Sequence, residues 1–202
     1  MNYPWSIIKK RSRLILIGGV IIGLLAGGVS FFFPRYYRAD AQILILPNSQ
    51  AGVDPYTIAK SAERIGSNVA EVLPSNDFFQ KVMTQGDYGI DKSHFANVSE
   101  RVKRKRWRET ISSSVSFGTG ILNVSLYGRS QSQAIALARA SVDALVTRGW
   151  EYIGKDVVLK VVNDPVATRW PVRPNIPVNM ALGFFVGLVG AALVVLKRER
   201  RE

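Results

Sequence analysis

The sequence contains no cysteine, and His94 is its single histidine. Without cysteine there is neither a disulfide framework nor the modified cysteine of a lipoprotein anchor. A single histidine excludes a histidine-rich metal site and a histidine triad with several histidine partners. Metal binding would then require a cluster of carboxylates, but the acidic residues are scattered singly along the chain. We therefore expect no bound metal.

Nucleotide-binding signatures are also missing. The GxxxxGK[ST] pattern of a P-loop does not occur. Gly118-Thr119-Gly120 lacks the third glycine of a dinucleotide fingerprint and lies between two predicted strands, where a hairpin turn explains it. Judged by the features that define an active site, the sequence predicts a non-enzymatic protein with no catalytic residues and no cofactor.

Charged residues are absent from two long stretches. Leu14–Phe33 is an apolar run of 20 residues, and Val178–Leu196 is a second run of 19. At about 1.5 Å rise per residue, each spans roughly the 30 Å of a bilayer core. We predict transmembrane helices at 14–33 and 176–196. A cleaved signal peptide is the alternative for the first run, although 20 residues exceed the usual apolar core of roughly 7–15.

Basic residues flank these runs unevenly. Eight lie at the two outer flanks and four at the inner flanks, which favours cytoplasmic termini. This predicts cytoplasmic tails at 1–13 and 197–202 and an exported domain at 34–175. Half of the net charge of +12 belongs to the tails, where it faces anionic membrane lipid. Lipid is therefore an expected partner and nucleic acid is not.

Strand patterns occur in four places between the runs. In the first, Tyr37, Ala39, Ala41, Ile43 and Ile45 alternate with polar residues, which predicts a strand with one buried face that ends at Pro47. The other predicted strands cover residues 111–117, 121–127 and 157–162.

Helical patterns occur in the same segment. Asp54-Pro55 has the residues of a helix start, as do Ser75 and either Ser130 or Ser132. A further helix is predicted at about 93–105, with Phe95, Val98 and Val102 on one side. Helices and strands in this order predict an α+β sandwich with the helices on one face of a sheet.

The densest charge run is RVKRKRWRE at 101–109, with six basic residues around one tryptophan. One interpretation is a solvated helix end, because charge runs usually lie at the surface. The other is a contact for an acidic polymer or a lipid headgroup, with the tryptophan stacked on a sugar ring. The candidate contact residues are Arg101, Lys103, Arg104, Lys105, Arg106, Trp107 and Arg108.

Small residues recur at intervals of four in both apolar runs. The first run has Gly19, Gly23 and Gly27, and the second has Gly183 and Gly187 followed by Ala191. Such stripes let helix backbones approach closely in lipid. We expect these helices to pair with each other or with copies of themselves.

Prolines recur at intervals of three before the second run, at Pro171, Pro174 and Pro177, with Pro165 upstream. This period is that of a polyproline II helix, so the segment is predicted to be a stiff strut. Pro177 fits the first turn of the following helix, where its missing N–H costs nothing.

Taken with the strand YRADAQILI and the segment TGILNVSLYGRSQSQAIALARASVDAL, this proline and glycine motif resembles the Wzz-type chain-length determinants, or polysaccharide co-polymerases. The resemblance implies a homo-oligomer in the bacterial inner membrane that controls O-antigen, capsule or exopolysaccharide length. It implies the polysaccharide polymerase and the nascent polysaccharide as partners. The chain resembles the short capsule or exopolysaccharide type without a kinase domain.

Three functional hypotheses follow. The first is a chain-length regulator that assembles a scaffold around the polymerase. The second is a membrane adaptor that activates a separate cytoplasmic tyrosine kinase. The third is a glycan or lipid sensor that uses the 101–108 run.

Overall fold

The structure is a computed structural model and describes residues 9, 11–48 and 54–199. Its elements, in chain order, are α1 (Ser12–Ser30), β1 (Tyr37–Pro47), α2 (Pro55–Val72), α3 (Asn76–Thr84), α4 (Glu100–Thr110), β2 (Ile111–Val115), β3 (Ile121–Gly128), α5 (Gln131–Arg148), α6 (Trp150–Ile153), β4 (Val157–Ala167) and α7 (Ile176–Glu199). They form two compact units: a helix pair made of α1 and α7, and a mixed domain that spans Tyr36–Pro171.

The mixed domain is built on one antiparallel sheet with the strand order β2-β3-β1-β4. The predicted alternation in β1 is confirmed, because Ala39, Ala41, Ile43 and Ile45 are each at most 1% exposed. Near one end of the β1–β4 ladder, Ala39 pairs with Ala167. The chain therefore enters and leaves the domain on neighbouring strands.

Helices cover the buried face of this sheet, and three of their N-termini are where the sequence predicts them. The side chains of Asp54, Ser75 and Ser130 each accept a hydrogen bond from a backbone N–H in the first turn of α2, α3 and α5. Capping of this kind satisfies donors that a helix leaves unpaired at its start. The α+β architecture with helices over one sheet face is thus present in the domain.

The helix predicted at about 93–105 is present only in its second half. Residues 93–95 form one 3₁₀ turn, and α4 begins only at Glu100. Between them Asn97 has a φ of 52°, a left-handed conformation that interrupts any α-helix. The spacing of Phe95, Val98 and Val102 fits one face of a helix, but the backbone between Phe95 and Val98 is not helical.

The last strand is longer than predicted and contains Pro165. β4 extends to Ala167, and its pairing with β1 shifts twice between Asp40 and Ile43. Pro165 lies in this irregular part of an edge strand, and it is buried. Edge strands and bulges are where a proline is tolerated in a sheet. Pro165 is therefore a residue of the sheet and not of the proline strut.

Candidate functional site

The glycines of the two apolar runs lie where α1 and α7 meet. A Cβ built on Gly183 would lie 2.6 Å from the Ala26 Cβ, and one on Gly187 would lie 2.8 Å from the carbonyl oxygen of Gly18. A Cβ on Gly23 would lie 3.0 Å from the carbonyl oxygen of Met180. Contacts this close to backbone atoms leave no room for a side chain, so the helices meet backbone to backbone.

The buried residues of α1 follow the same spacing. Gly19, Gly23, Gly27 and Ser30 are buried, and a Cβ on Gly27 would lie 2.6 Å from a side-chain atom of Met180. One polar contact accompanies this glycine face, because Asn179 donates a hydrogen bond of 2.9 Å to the Ser30 hydroxyl.

The proline segment is not uniformly extended. Pro171 has no regular structure, the backbone bends at Pro174, and the Arg173–Pro174 peptide bond is cis. α7 begins at Ile176, which places Pro177 in its first turn. The stiff extended strut predicted from the proline spacing is therefore bent.

Helix α4 carries the charge run and has two unlike faces. Arg101, Arg104, Lys105 and Arg108 are exposed and share one face, as the helical spacing predicts. Lys103 and Arg106 are partly buried instead. Lys103 lies 2.5 Å from Glu100, and Arg106 donates to the carbonyl oxygen of His94. The six basic residues therefore do not act as one surface.

Trp107 belongs to the core, and the predicted stacking on a sugar ring is wrong for this residue. It is 1% exposed, and its indole N–H donates to the carbonyl oxygen of Leu73 over 2.9 Å. Its ring packs against Phe78, Phe79 and Phe95. Most residues of α4 are charged, so the Trp107 ring is what anchors the helix in the core. The face of α4 that carries Trp107 is therefore the buried one.

Sequence reasoning missed a buried charge cluster around Lys81. Its ammonium lies 2.7 Å from Asp77 and 3.0 Å from Glu151, and 4.9 Å from the centre of the Tyr152 ring. The Tyr152 hydroxyl donates to Asp77. The cluster joins α3 to α6. The signal that the sequence offers is the Asp77–Lys81 spacing of four on one helix.

The pKa values of Lys81, Asp77 and Glu151 are shifted in the directions that favour their charged forms. The hydrogen bond to Asp77 raises the pKa of Lys81. Hydrogen bonds from Lys81 and Tyr152 lower the pKa of Asp77, and the one from Lys81 lowers the pKa of Glu151. Burial, together with the bond to Asp77, raises the pKa of Tyr152 to about 12. The cluster is a structural ion-pair network.

His94 is partly buried, and its charged neighbours include Arg106, Arg129, Glu109 and Asp91. Burial lowers the pKa of its imidazole, and the nearby charges of Arg106 and Arg129 lower it further. Within the described ranges no group of three or more His, Cys, Asp or Glu side chains is placed to hold a metal ion. The geometry around His94 is that of a surface histidine beside two guanidinium groups.

Residues 5–85 match the model of the family Wzz, chain length determinant protein. Over these residues the chain is similar to the Wzz chain-length determinants. The match includes α1, β1, α2 and α3, and it covers fewer than half of the 202 residues. No curated protein matches the chain.

The Wzz resemblance predicted from the sequence is thus confirmed. It is confirmed at the N-terminal part, whereas the proline and glycine motif that gave the resemblance most of its specificity lies at the other end. Wzz proteins take part in determining polysaccharide chain length. The helices Ser12–Ser30 and Ile176–Arg198 are long and apolar enough to cross a membrane, which fits an inner-membrane protein.

Proposed function

We propose that this protein is a Wzz-type chain-length determinant that regulates the chain length, polymerisation or export of a surface polysaccharide, of the O-antigen, capsule or exopolysaccharide kind. It does so without catalysis, as a homo-oligomeric scaffold in the inner membrane that holds a polysaccharide polymerase and its growing product. The observation that carries the proposal is the Wzz match at residues 5–85, which includes both the first apolar helix and the first part of the mixed domain.

The helix pair supports a role for α1 as a permanent membrane anchor. Its glycine face is occupied by Met180, Phe184 and Leu188 of α7. A signal peptide removed after export has no need of a matched packing face. We infer that α1 is retained, that both helices span the membrane and that both termini are cytoplasmic. Lys10, Arg200 and Arg201, which contribute to this inference, lie outside the described residues.

The mixed domain supports the proposal through the placement of its ends. Because β1 and β4 are adjacent and antiparallel, the start and the end of the domain lie side by side. Ends that lie side by side suit a domain whose two flanking segments each continue into one helix of a pair. The surface of the domain is then available to the polymer. A rigid scaffold that carries a binding surface can regulate by positioning its partners.

Deletion of the gene followed by gel analysis of the surface polysaccharide tests the proposal. We expect the size distribution of the polymer to change, and expression of the full chain to restore it. Unchanged polymer length in the deletion strain, with the polymer still produced, would show that the protein has another role.

Replacement of Pro171 and Pro174 by alanine tests whether the proline segment couples the domain to the membrane. We expect the variant to reach the membrane at normal levels and to shift the size distribution of the polymer.

A further inference from the structure

The exposed face of α4 carries a row of four cations. It consists of Arg101, Arg104, Lys105 and Arg108. Glu100 and Glu109 border this face. Lys105 forms a salt bridge with Glu109 at 4.0 Å, and in the part of the chain that the structure describes none of the three arginines has a carboxylate within that distance. From the first to the last of the four, the row extends over about 10 Å of helix at about 1.5 Å per residue.

This row opposes the stability of its own helix. Arg101 faces Arg104 and Lys105 at helical spacings of three and four, and Arg108 faces the same two residues from the other side. Like charges at these spacings destabilise a helix. The opposite face supplies the compensation, since Trp107 anchors α4 in the core. Glu100 and Glu109 border the same surface and offset part of this repulsion. Four basic residues against two acidic residues still leave a positively charged face, which suits an anionic partner.

The burial of one face of α4 in the core also bears on whether the partner is an anionic lipid surface or a soluble polyanion. A helix that lies in a membrane surface buries its apolar face among the lipids. In α4 that face is taken up by the protein core, because Trp107 and Thr110 are 1% and 6% exposed. The surface that α4 offers to a partner is therefore mainly charged, with Val102 as its one large apolar side chain, 39% exposed. This favours a soluble polyanion over a lipid surface.

We propose that the exposed face of α4 binds an anionic polysaccharide, which makes the polymer regulated by this protein one that carries carboxylate or phosphate groups. The inference rests on the proposed function and adds the chemical class of the polymer. Guanidinium groups form two parallel hydrogen bonds to a carboxylate or a phosphate. Four cations in a row engage several charges of one chain together, so a polymer binds far better than its monomer.

The binding test uses the full chain in nanodiscs of zwitterionic phosphatidylcholine and fluorescently labelled alginate, a polymer of uronic acids. We expect alginate to bind and to be released by salt, and neutral dextran and monomeric glucuronic acid not to bind. The variant R101Q/R104Q/K105Q/R108Q should bind alginate at least about tenfold more weakly, since several exposed ion pairs are lost together.

The matched control is R64Q/K155Q/K160Q/R169Q, which removes the same number of exposed positive charges elsewhere on the domain. It should keep most of the alginate affinity. Equal losses in both variants would mean that net charge alone binds alginate, and would overturn the assignment to α4. Full binding by the α4 variant, or equal binding of dextran, would overturn it as well.

Vesicles with and without phosphatidylglycerol form the second arm. If the α4 variant loses binding to anionic vesicles but keeps binding to alginate, the face serves a lipid surface and the inference is wrong. The deletion strain separates this result from the proposed function. If the deletion strain has altered polymer length but the full chain does not bind alginate, only the α4 inference is wrong. If the full chain binds alginate but the deletion strain has unaltered polymer, the proposed function is wrong.

Discussion

At the scale of single residues, Lys81 shows how burial and charge are reconciled in this domain. Its side chain is 7% exposed, while its partners Asp77 and Glu151 remain partly in solvent at 61% and 32%. A buried ammonium without partners would be strongly destabilising. The two carboxylates and the face of the Tyr152 ring remove this cost, and they fix the short helix α6 on α3.

This cluster makes the stability of the domain depend on acid. The folded-state pKa values of Asp77 and Glu151 lie below their ordinary values of 3.8 and 4.5. Their contribution is therefore present above those values and is lost as the pH falls through the lower folded-state values. We expect urea unfolding to show a decline in stability between about pH 5 and about pH 3 that is shallower in Lys81→Met.

The matched control for this prediction is Lys60→Met. Lys60 forms a similar pair with Glu63 at 3.2 Å, but its side chain is 57% exposed. Exposed pairs contribute at most about 1 kcal/mol, so the pH profile of this variant should follow that of the parent chain. A Lys81→Met profile as steep as that of the parent would show that the cluster is not the source of the acid sensitivity.

At the scale of elements, the glycine faces of α1 and α7 set the distance between the two helices. Replacing Gly183 and Gly187 by leucine should keep the segment apolar enough to insert. Pairing should be lost, because the new side chains would meet backbone atoms of α1 and lipid offers no hydrophobic drive to restore the contact. Gly28 and Gly190 have no atoms within 4 Å of a built Cβ, so G28L/G190L is the matched control.

Disulfide crosslinking measures this pairing directly, since the chain has no cysteine of its own. Ser30 and Asn179 touch across the pair, and S30C/N179C should crosslink readily on oxidation. The crosslinking yield should fall to the level without oxidant when G183L/G187L is added, and should stay high when G28L/G190L is added. Equal yields in both would mean that these glycines do not hold the helices together.

The elements also show what the sequence could and could not predict. Alternation in β1 and the caps at Asp54, Ser75 and Ser130 are local signals, and they identified their elements correctly. The start of α4 depends on a left-handed Asn97, which no periodicity reports. The orientation of α4 depends on the packing of Trp107 against Phe78, Phe79 and Phe95. These rings come from other elements of the chain, so local sequence patterns do not predict the contact.

The candidate site was predictable to a similar extent. Helical spacing alone placed Arg101, Arg104, Lys105 and Arg108 on one face. Spacing did not show which partners Lys103 and Arg106 have. Lys103 pairs with Glu100 one turn away in the same helix, and Arg106 donates to the backbone of His94, which lies before the helix. The meeting of the glycine faces followed from their spacing, whereas the bend at Pro174 did not.

At the scale of the whole molecule, the proposed topology has a direct test. A single cysteine at Ser112, in the mixed domain, should react with a membrane-impermeant maleimide in spheroplasts. A single cysteine at Lys197 should react only after the membrane is permeabilised. Both positions are exposed, so burial does not protect either. The opposite pattern, or reaction of both in sealed spheroplasts, would refute cytoplasmic termini.

The pairing of Ala39 with Ala167 has a mechanical consequence. Because the two ends of the mixed domain lie on adjacent antiparallel strands, a force that draws those ends apart pulls across the β1–β4 ladder and not along it. The hydrogen bonds then carry the load one pair at a time, as in the opening of a zipper, so the domain yields at this seam first. The strands β2 and β3, further along the sheet, bear none of the tension until the seam has parted.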